Sequence, residues 1–268
     1  MTASPLPFTP DIAQRLAGDP LVLLLDVDGT LAPIAPTPGT ATVPQRTRRV
    51  LQDLVKLPGV HVSLVSGRTA ADAVRLVDVA GVWAIGNHGF EVAEPGQPAV
   101  PHAGAVEYLD RIAAIADELR EITRDYDAVT VEDKRWTVTV HYRLADRRII
   151  PNLLERGAAL AREAGLTATE GKEVFEIRPP LDVNKGTACL EMAERLGAFR
   201  DGASLLSAGD DRTDEDAFIA LRAARPWFVT VRVREAGRAD APVTAAEFDL
   251  PDPASFCEML EAIRSLRV

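Results

Sequence analysis

The sequence predicts an α/β protein, a Rossmann-like parallel-sheet core interrupted by a smaller inserted α+β cap domain. Three observations carry this expectation. Short unbroken apolar runs, such as residues 21–25, alternate with segments of helical periodicity, as in a parallel sheet covered on both faces by crossover helices. After about Gly96 the pattern changes to strand-like runs in which polar and apolar residues alternate, the mark of an open sheet with one buried face. Helix–strand alternation then resumes near Asp182. The core is therefore expected over residues 1–100 and 183–268, and the inserted domain over residues 101–182.

Taken in order, residues 21–25 read as a buried central strand that opens at once into Asp26-Val27-Asp28-Gly29-Thr30. A loop containing Pro33, Pro36 and Pro38 leads to a helix in which Val50, Leu51, Leu54 and Val55 recur at helical spacing until Leu57-Pro58-Gly59 stops them. Residues 60–65 form a second strand ending in Ser66-Gly67-Arg68. A helix over 69–77 and a strand over 82–85 precede the turn Gly86-Asn87-His88-Gly89. The inserted domain should hold a long amphipathic helix over 106–124, strands over 129–132, 135–143 and 174–178, and a helix over 149–164. The core then continues with helices over 186–196, 214–221 and 253–266 and strands over 204–208 and 227–231. In the insert, Trp136, Val138 and Val140 share one face. Thr139, His141 and Arg143 share the other, as Glu176 lies opposite Phe175 and Ile177. That polar face meets either water or a ligand.

Composition removes several function classes. The chain carries 40 acidic against 30 basic residues, a net charge of −10, and only 5% aromatics, a poor basis for neutralising phosphates or stacking bases, so no nucleic-acid partner is expected. Cys189 and Cys257 are too few for a disulfide framework, and both fall in helical stretches. No apolar run reaches the length of about 18 residues that a membrane span needs, and the N-terminus lacks the order of a signal peptide. A soluble, cytoplasmic monomer is expected.

Three polar clusters follow directly on expected strands: Asp26-Val27-Asp28, Ser66-Gly67, and Gly209-Asp210-Asp211 with Asp214. In a parallel sheet, ligands bind beyond the carboxyl ends of the strands, so these clusters can converge, and Lys185 at a helix start can join them. Each has an ordinary alternative. Ser66-Gly67-Arg68 alone is a turn, the acidic run from Asp210 to Asp216 suits a helix N-terminus, and Lys185 alone suits the surface. A calcium loop is excluded because a strand, not a helix, precedes Asp26. The scattered His61, His88, His102 and His141 give no zinc pattern.

The four elements in this order resemble the haloacid dehalogenase superfamily of phosphotransferases, some of whose members carry a large cap between the second and third motifs. More narrowly, the chain resembles the trehalose-6-phosphate phosphatases over most of its length. The closer resemblance lies in Ser66-Gly67-Arg68, Gly86-Asn87-His88-Gly89 with Glu91, Val131-Glu132-Asp133-Lys134, His141-Tyr142-Arg143, Gly171-Lys172, Glu176-Ile177-Arg178-Pro179 and Asp211-Arg212-Thr213-Asp214. The resemblance implies Asp26 as nucleophile, Asp28 as general acid and base, and Ser66 and Lys185 as holders of the phosphoryl oxygens. It implies an Mg2+ held by Asp26, Asp28 and Asp210, with Asp211 and Asp214 supporting the ligands and Lys185. In the cap it implies Glu132, Lys134, His141, Arg143, Lys172 and Glu176 as contacts to the sugar, the substrate being trehalose 6-phosphate and the pathway trehalose biosynthesis. An internal salt-bridge ladder, such as Glu176 with Arg143, is the alternative use of those cap residues. Another sugar phosphate, such as sucrose phosphate or a glycosyl phosphoglycerate, is the nearest alternative substrate. A non-catalytic regulatory domain is the alternative of another class.

Overall fold

Six consecutive residues, Leu21–Asp26, are all buried, and their neighbours show why. Leu21, Leu23 and Leu25 join one hydrophobic cluster, and Val22 and Leu24 join another on the opposite face of the same strand. A strand covered on both sides has no solvent face to encode, which is why the sequence shows an unbroken apolar run there.

The computed structural model describes residues 4, 5, 8–171, 173–234 and 243–267. In chain order the first elements are β1 (Ser4–Pro5), α1 (Pro10–Arg15), β2 (Leu21–Asp26), α2 (Gln45–Leu54), β3 (Val60–Val65), α3 (Ala70–Val77), β4 (Trp83–Gly86), β5 (Glu91–Ala93) and β6 (Val100–Pro101). Then come α4 (Leu109–Thr123), β7 (Thr130–Asp133), β8 (Val138–His141), α5 (Ile150–Glu163), β9 (Thr167–Glu170) and β10 (Val174–Arg178). The chain closes with α6 (Lys185–Arg195), β11 (Ser204–Gly209), α7 (Arg212–Ala224), β12 (Val229–Val233), β13 (Phe248–Leu250) and α8 (Pro253–Ser265). Two compact units result, Met1–Val100 with Val183–Val268, and Pro101–Asp182.

The larger unit is built on a sheet of order β1-β13-β12-β11-β2-β3-β4-β5-β6, parallel from β1 through β4. Side chains of α1, α2, α3 and α8 pack with Leu21, Leu23 and Leu25, and those of α6 and α7 pack with Val22 and Leu24. The helices begin where side chains satisfy their first N–H groups. Thr69 accepts from Asp72 N at 3.1 Å for α3, Asn184 from Thr187 N at 3.0 Å for α6, and Asp252 from Ser255 N at 2.7 Å for α8. Because β2, β3 and β11 are parallel, with Asp26 opposite Val65 and Leu25 opposite Ala208, the residues that follow them leave the sheet at one edge.

The smaller unit is an antiparallel sheet of order β7-β8-β10-β9. Ile112, Ile115, Ala116 and Leu119 of α4 and Leu153 and Ala161 of α5 pack on Val138, Val140, Phe175 and Ile177. On the sheet's other face the register aligns Glu132, Thr139, Glu176 and Thr169 in one row across all four strands.

Several boundaries differ from the sequence expectation. The long helix expected from 106 is preceded by a 3-10 turn over Ala103–Tyr108, and the α-helix proper starts at Leu109. The strand expected over 135–143 is confined to Val138–His141, because Arg135 stands at φ 71° and the 134–137 backbone closes a turn through Lys134 N to Thr137 O at 2.9 Å. A fourth cap strand, β9, was not expected from Thr167-Ala168-Thr169-Glu170, which lacks an alternating apolar pattern. The core also gains the short strands β5 and β13, and the strand expected over 227–231 lies at Val229–Val233. Both cysteines are free and buried, and no described helix is long and apolar enough to cross a membrane.

Phe175 is 2% exposed and packs so closely on Gly157 that a Cβ there would lie 2.5 Å from its ring. Phe175→Ala should destabilise the smaller unit by about 3–5 kcal/mol. In hydrogen exchange, amides of α4, α5 and β7–β10 should lose protection while those of β2, β3 and β11 keep theirs.

Candidate active site

Lys185 is the first residue of α6 and is 2% exposed. Its ammonium donates to Asp26 Oδ1 at 2.8 Å and to Asp214 Oδ1 at 2.7 Å. A buried lysine needs such partners, since an unpaired charge in that environment would lose its proton or the fold. Asp26 ends β2, and Asp214 lies in the first turn of α7, so the ammonium joins three separate stretches of the chain.

The two oxygens of Asp214 are both engaged, Oδ1 by Lys185 and Oδ2 by the backbone N–H groups of Asp210 and Asp211 at 3.1 and 3.2 Å. Asp211 is the N-cap of α7, its Oδ1 accepting from Thr213 N at 2.8 Å, Thr213 Oγ1 at 2.7 Å and Asp214 N at 3.2 Å. Asp26 differs. Its Oδ2 is buried without a hydrogen-bond partner among the described residues, and so is the Thr30 hydroxyl four residues on. Gly29, at φ 96°, allows the chain between them to turn, and a Cβ there would lie 2.3 Å from the Asp210 carboxylate.

Asp26, Asp210 and Asp214 each offer an oxygen within 4.8 Å of the others. Three carboxylates facing one ammonium leave an excess of negative charge. Burial pushes the Asp26 carboxyl up to about 7, with Asp210 and Asp211 adding to the rise and Lys185 opposing it. Burial also raises Asp214 against the pull of Lys185. On Lys185 burial acts downward, but Asp214 and Asp26 hold the ammonium well above its ordinary value. An all-oxygen cluster with surplus charge and an unpartnered carboxylate oxygen fits a hard divalent cation. Asp26 and Asp210 are the carboxylates best placed to hold one, because Asp214 is already saturated.

Beside this cluster, the Arg68 guanidinium donates to both oxygens of Asp28, at 2.6 and 2.7 Å, and to the Pro38 carbonyl at 2.9 Å. Ser66, which follows β3 and is buried, accepts from Arg68 N at 3.1 Å through Oγ, and its own proton is available to donate. Of the core residues singled out in the sequence, Asp26, Lys185 and Asp214 are in direct contact. Asp210 lies within reach of them, and Asp28 and Ser66 are both tied to Arg68.

In the smaller unit, His141 Nε2 lies 2.8 Å from Glu132 Oε2, and Lys134 Nζ lies 3.9 Å from Glu176 Oε1, which also accepts from Thr139 Oγ1 at 3.4 Å. Lys134, Thr139 and Glu176 are buried, so this part of the polar face is not a solvated surface. Arg143 pairs with Glu173 at 3.2 Å. Lys172 lies outside the described residues. Sequence reasoning gave no role to Arg68, Thr30 or Glu173. Arg68 stands two residues after Ser66 and could have been found there, whereas Glu173 is recognisable only once the fold brings Arg143 beside it.

A carboxyl raised by burial favours folding at low pH and loses that contribution as pH climbs through its native value. With chelator present, wild-type stability should therefore decline between about pH 4 and pH 7 through Asp26, ordinary carboxyls titrating near 4. Asn has no proton to lose, so Asp26→Asn should unfold at a higher temperature than wild type at pH 8, with the gap closing toward pH 4. Thermal unfolding across pH checks this, and an unchanged gap would contradict it.

A model of the trehalose-phosphatase family matches residues 24–253. An uncharacterized glycosyl hydrolase of Mycobacterium tuberculosis is 36% identical over 256 residues, covering 94% of this chain but 19% of its own length. A trehalose-phosphate phosphatase of Mycolicibacterium paratuberculosis is 36% identical over 253 residues, covering 94% of this chain and 64% of its own. The chain thus spans about a fifth of the first relative and just under two thirds of the second. The crystal structure of a trehalose-6-phosphate phosphatase related protein superposes with a TM-score of 0.78 at 26% identity, covering 91% of this chain and 97% of that one. The matched segment takes in every one of the core residues described, from Asp26 through Lys185 to Asp214, and the chain belongs to the trehalose-phosphatase family.

Proposed function

We propose that this chain hydrolyses trehalose 6-phosphate to trehalose and inorganic phosphate, in the cytoplasm and as a monomer, with Asp26 as nucleophile and Mg2+ as its cation. The observation that carries this function is the buried Asp26 carboxylate, held by Lys185 on one oxygen and without a hydrogen bond on the other. A phosphate monoester dianion repels a carboxylate, so attack needs positive charge close to the phosphoryl oxygens. Lys185 supplies part of it.

In the first step an Asp26 oxygen bonds to phosphorus as the bond from phosphorus to the sugar oxygen breaks, and Asp28 gives that oxygen its proton. In the second, Asp28 takes a proton from water, which attacks the aspartyl-phosphate and frees Asp26 and phosphate. Arg68 grips both oxygens of Asp28, a pairing of ionised Asp28, so one of these bonds opens for Asp28 to carry the proton that it gives to the sugar oxygen. The Ser66 hydroxyl donates to a phosphoryl oxygen. Asp214 fixes Lys185 together with the 210–211 backbone, and Asp211 caps the helix that presents Asp214. Mg2+ held by the carboxylates of Asp26 and Asp210 and the Asp28 carbonyl would supply further positive charge at the phosphoryl oxygens.

The smaller unit is assigned the sugar. Glu132, Lys134, His141, Arg143, Lys172 and Glu176 combine acceptors and donors, which a disaccharide's hydroxyls require in alternation. The buried Lys134–Glu176 pair supports this by setting a donor and an acceptor side by side, 3.9 Å apart, on the polar face.

Asp26→Asn should fold and lose turnover by several orders of magnitude, with no covalent phosphorylation. Chelation should abolish wild-type activity, Mg2+ should restore it, and Asp210→Ala should reproduce the metal-free behaviour. Phosphate release measures all three, and more than about a tenth of wild-type turnover in Asp26→Asn would remove the nucleophile assignment.

Glu176→Ala and Lys172→Ala should each lower kcat/KM for trehalose 6-phosphate by roughly 10- to 100-fold, the loss of one charge-assisted hydrogen bond. p-Nitrophenyl phosphate, which has no second sugar, should be hydrolysed nearly as before. Equal losses on both substrates would assign these residues to the fold.

A further inference from the structure

The turn Gly86-Asn87-His88-Gly89 plays no part in the chemistry above, yet it is held in an unusual conformation beside it. Asn87 and His88 stand at φ 50° and 56°, two consecutive non-glycine residues in the left-handed region. Such conformations persist only where surrounding contacts enforce them. Here the backbone N–H of His88 donates to Ser66 O at 3.0 Å, and that of Asn87 donates to Arg68 O at 2.7 Å. The turn therefore grips the Ser66-Gly67-Arg68 segment from both ends. Between those bonds lies the imidazole. A Cβ built on Gly67 would lie 2.5 Å from His88 Nε2 and 2.6 Å from Cε1, and its three nearest atoms all belong to His88. On the other side, a Cβ on Gly89 would lie 2.8 Å from Ala188 Cβ and 3.3 Å from Asn184 O, so the turn also abuts the start of α6, where Lys185 stands.

We propose that His88 is a positioning residue for phosphoryl binding, its imidazole seated against Gly67 so that the Ser66 hydroxyl is fixed relative to Lys185. This role presupposes Ser66 as the phosphoryl-holding hydroxyl. It explains the glycine at 67, whose place a side chain could take only by displacing His88. A hydroxyl misplaced by about 1 Å costs on the order of 100-fold in rate. The loss falls on every phosphate monoester, because the sugar is not involved.

The test uses His88→Asn, since asparagine tolerates the left-handed backbone but lacks the atoms that meet Gly67. Thermal unfolding checks that each variant is folded. With both trehalose 6-phosphate and p-nitrophenyl phosphate, His88→Asn should lower kcat/KM by roughly 10- to 100-fold and weaken competitive inhibition by inorganic phosphate by about 10-fold. In a Ser66→Ala background the same substitution should add less than about 3-fold, because the two residues act as a unit. Gly67→Ala should be more damaging than His88→Asn, and the double variant Gly67→Ala/His88→Asn should recover to the level of His88→Asn alone. Additive losses with Ser66→Ala, or a double variant no better than Gly67→Ala, would overturn the proposal. Should wild type hydrolyse neither ester, the proposed activity falls. The His88 coupling is then read separately, as inorganic phosphate affinity by calorimetry across the same variants.

Discussion

The Lys185 ammonium, buried between Asp26 and Asp214, is the contact on which the core site depends. Removing either carboxylate changes the charge balance of a desolvated cluster, and removing the lysine leaves three carboxylates crowded together. Much of the nearby architecture meets its demands. The Asn184 cap starts α6 at the position that presents the lysine, and the Asp211 cap starts α7 so that Asp214 can turn back on the 210–211 backbone. The sheet brings the ends of β2 and β11 side by side, which sets Asp26 near Asp210. The cluster is nonetheless imperfectly satisfied, with its unpartnered Asp26 oxygen. Surplus charge of this kind is tolerated in a fold for the sake of what it binds.

Much of this was legible in the sequence for a physical reason. A buried parallel strand must be apolar throughout, so residues 21–25 declared themselves, and polar residues placed immediately after such a run can only stand at the carboxyl edge of the sheet. The motif after β2, the serine after β3 and the acidic loop after β11 were readable on that ground. What the sequence hid was long-range or pattern-free. Glu173 is a partner for Arg143 only after β8 and β10 pair, and β9 carries no alternation because it is an edge strand with small polar residues. The Arg135 turn shortened a strand that periodicity alone would have continued, since φ at one residue leaves no trace in hydropathy.

The smaller unit repeats the economy of the core in different material. Its apolar face, built on Val138, Val140, Phe175 and Ile177, is a conventional packed layer beneath α4 and α5. Its polar face buries Lys134 and Glu176 3.9 Å apart, incurring the desolvation of both. A sheet that served only to hold two helices would place solvated threonines and lysines there. In both units buried charges are among the groups assigned to a ligand.

The order of pairing in the large sheet has a consequence for how the chain comes to be folded. β2 is flanked by β3, close behind it in sequence, and by β11, which reaches it only after the whole inserted unit has been made. During synthesis at about 5–20 residues per second, the Leu21–Leu25 strand therefore waits on the order of ten seconds or more with one edge unpaired. For that interval the emerging protein exposes a β-rich apolar edge, the kind of surface that templates aggregation. The insert, by contrast, is contiguous and can complete its own contacts as it emerges. The nascent chain thus holds a finished cap beside an open half-sheet. Its solubility in a cell depends on how the first hundred residues are shielded until the last eighty arrive.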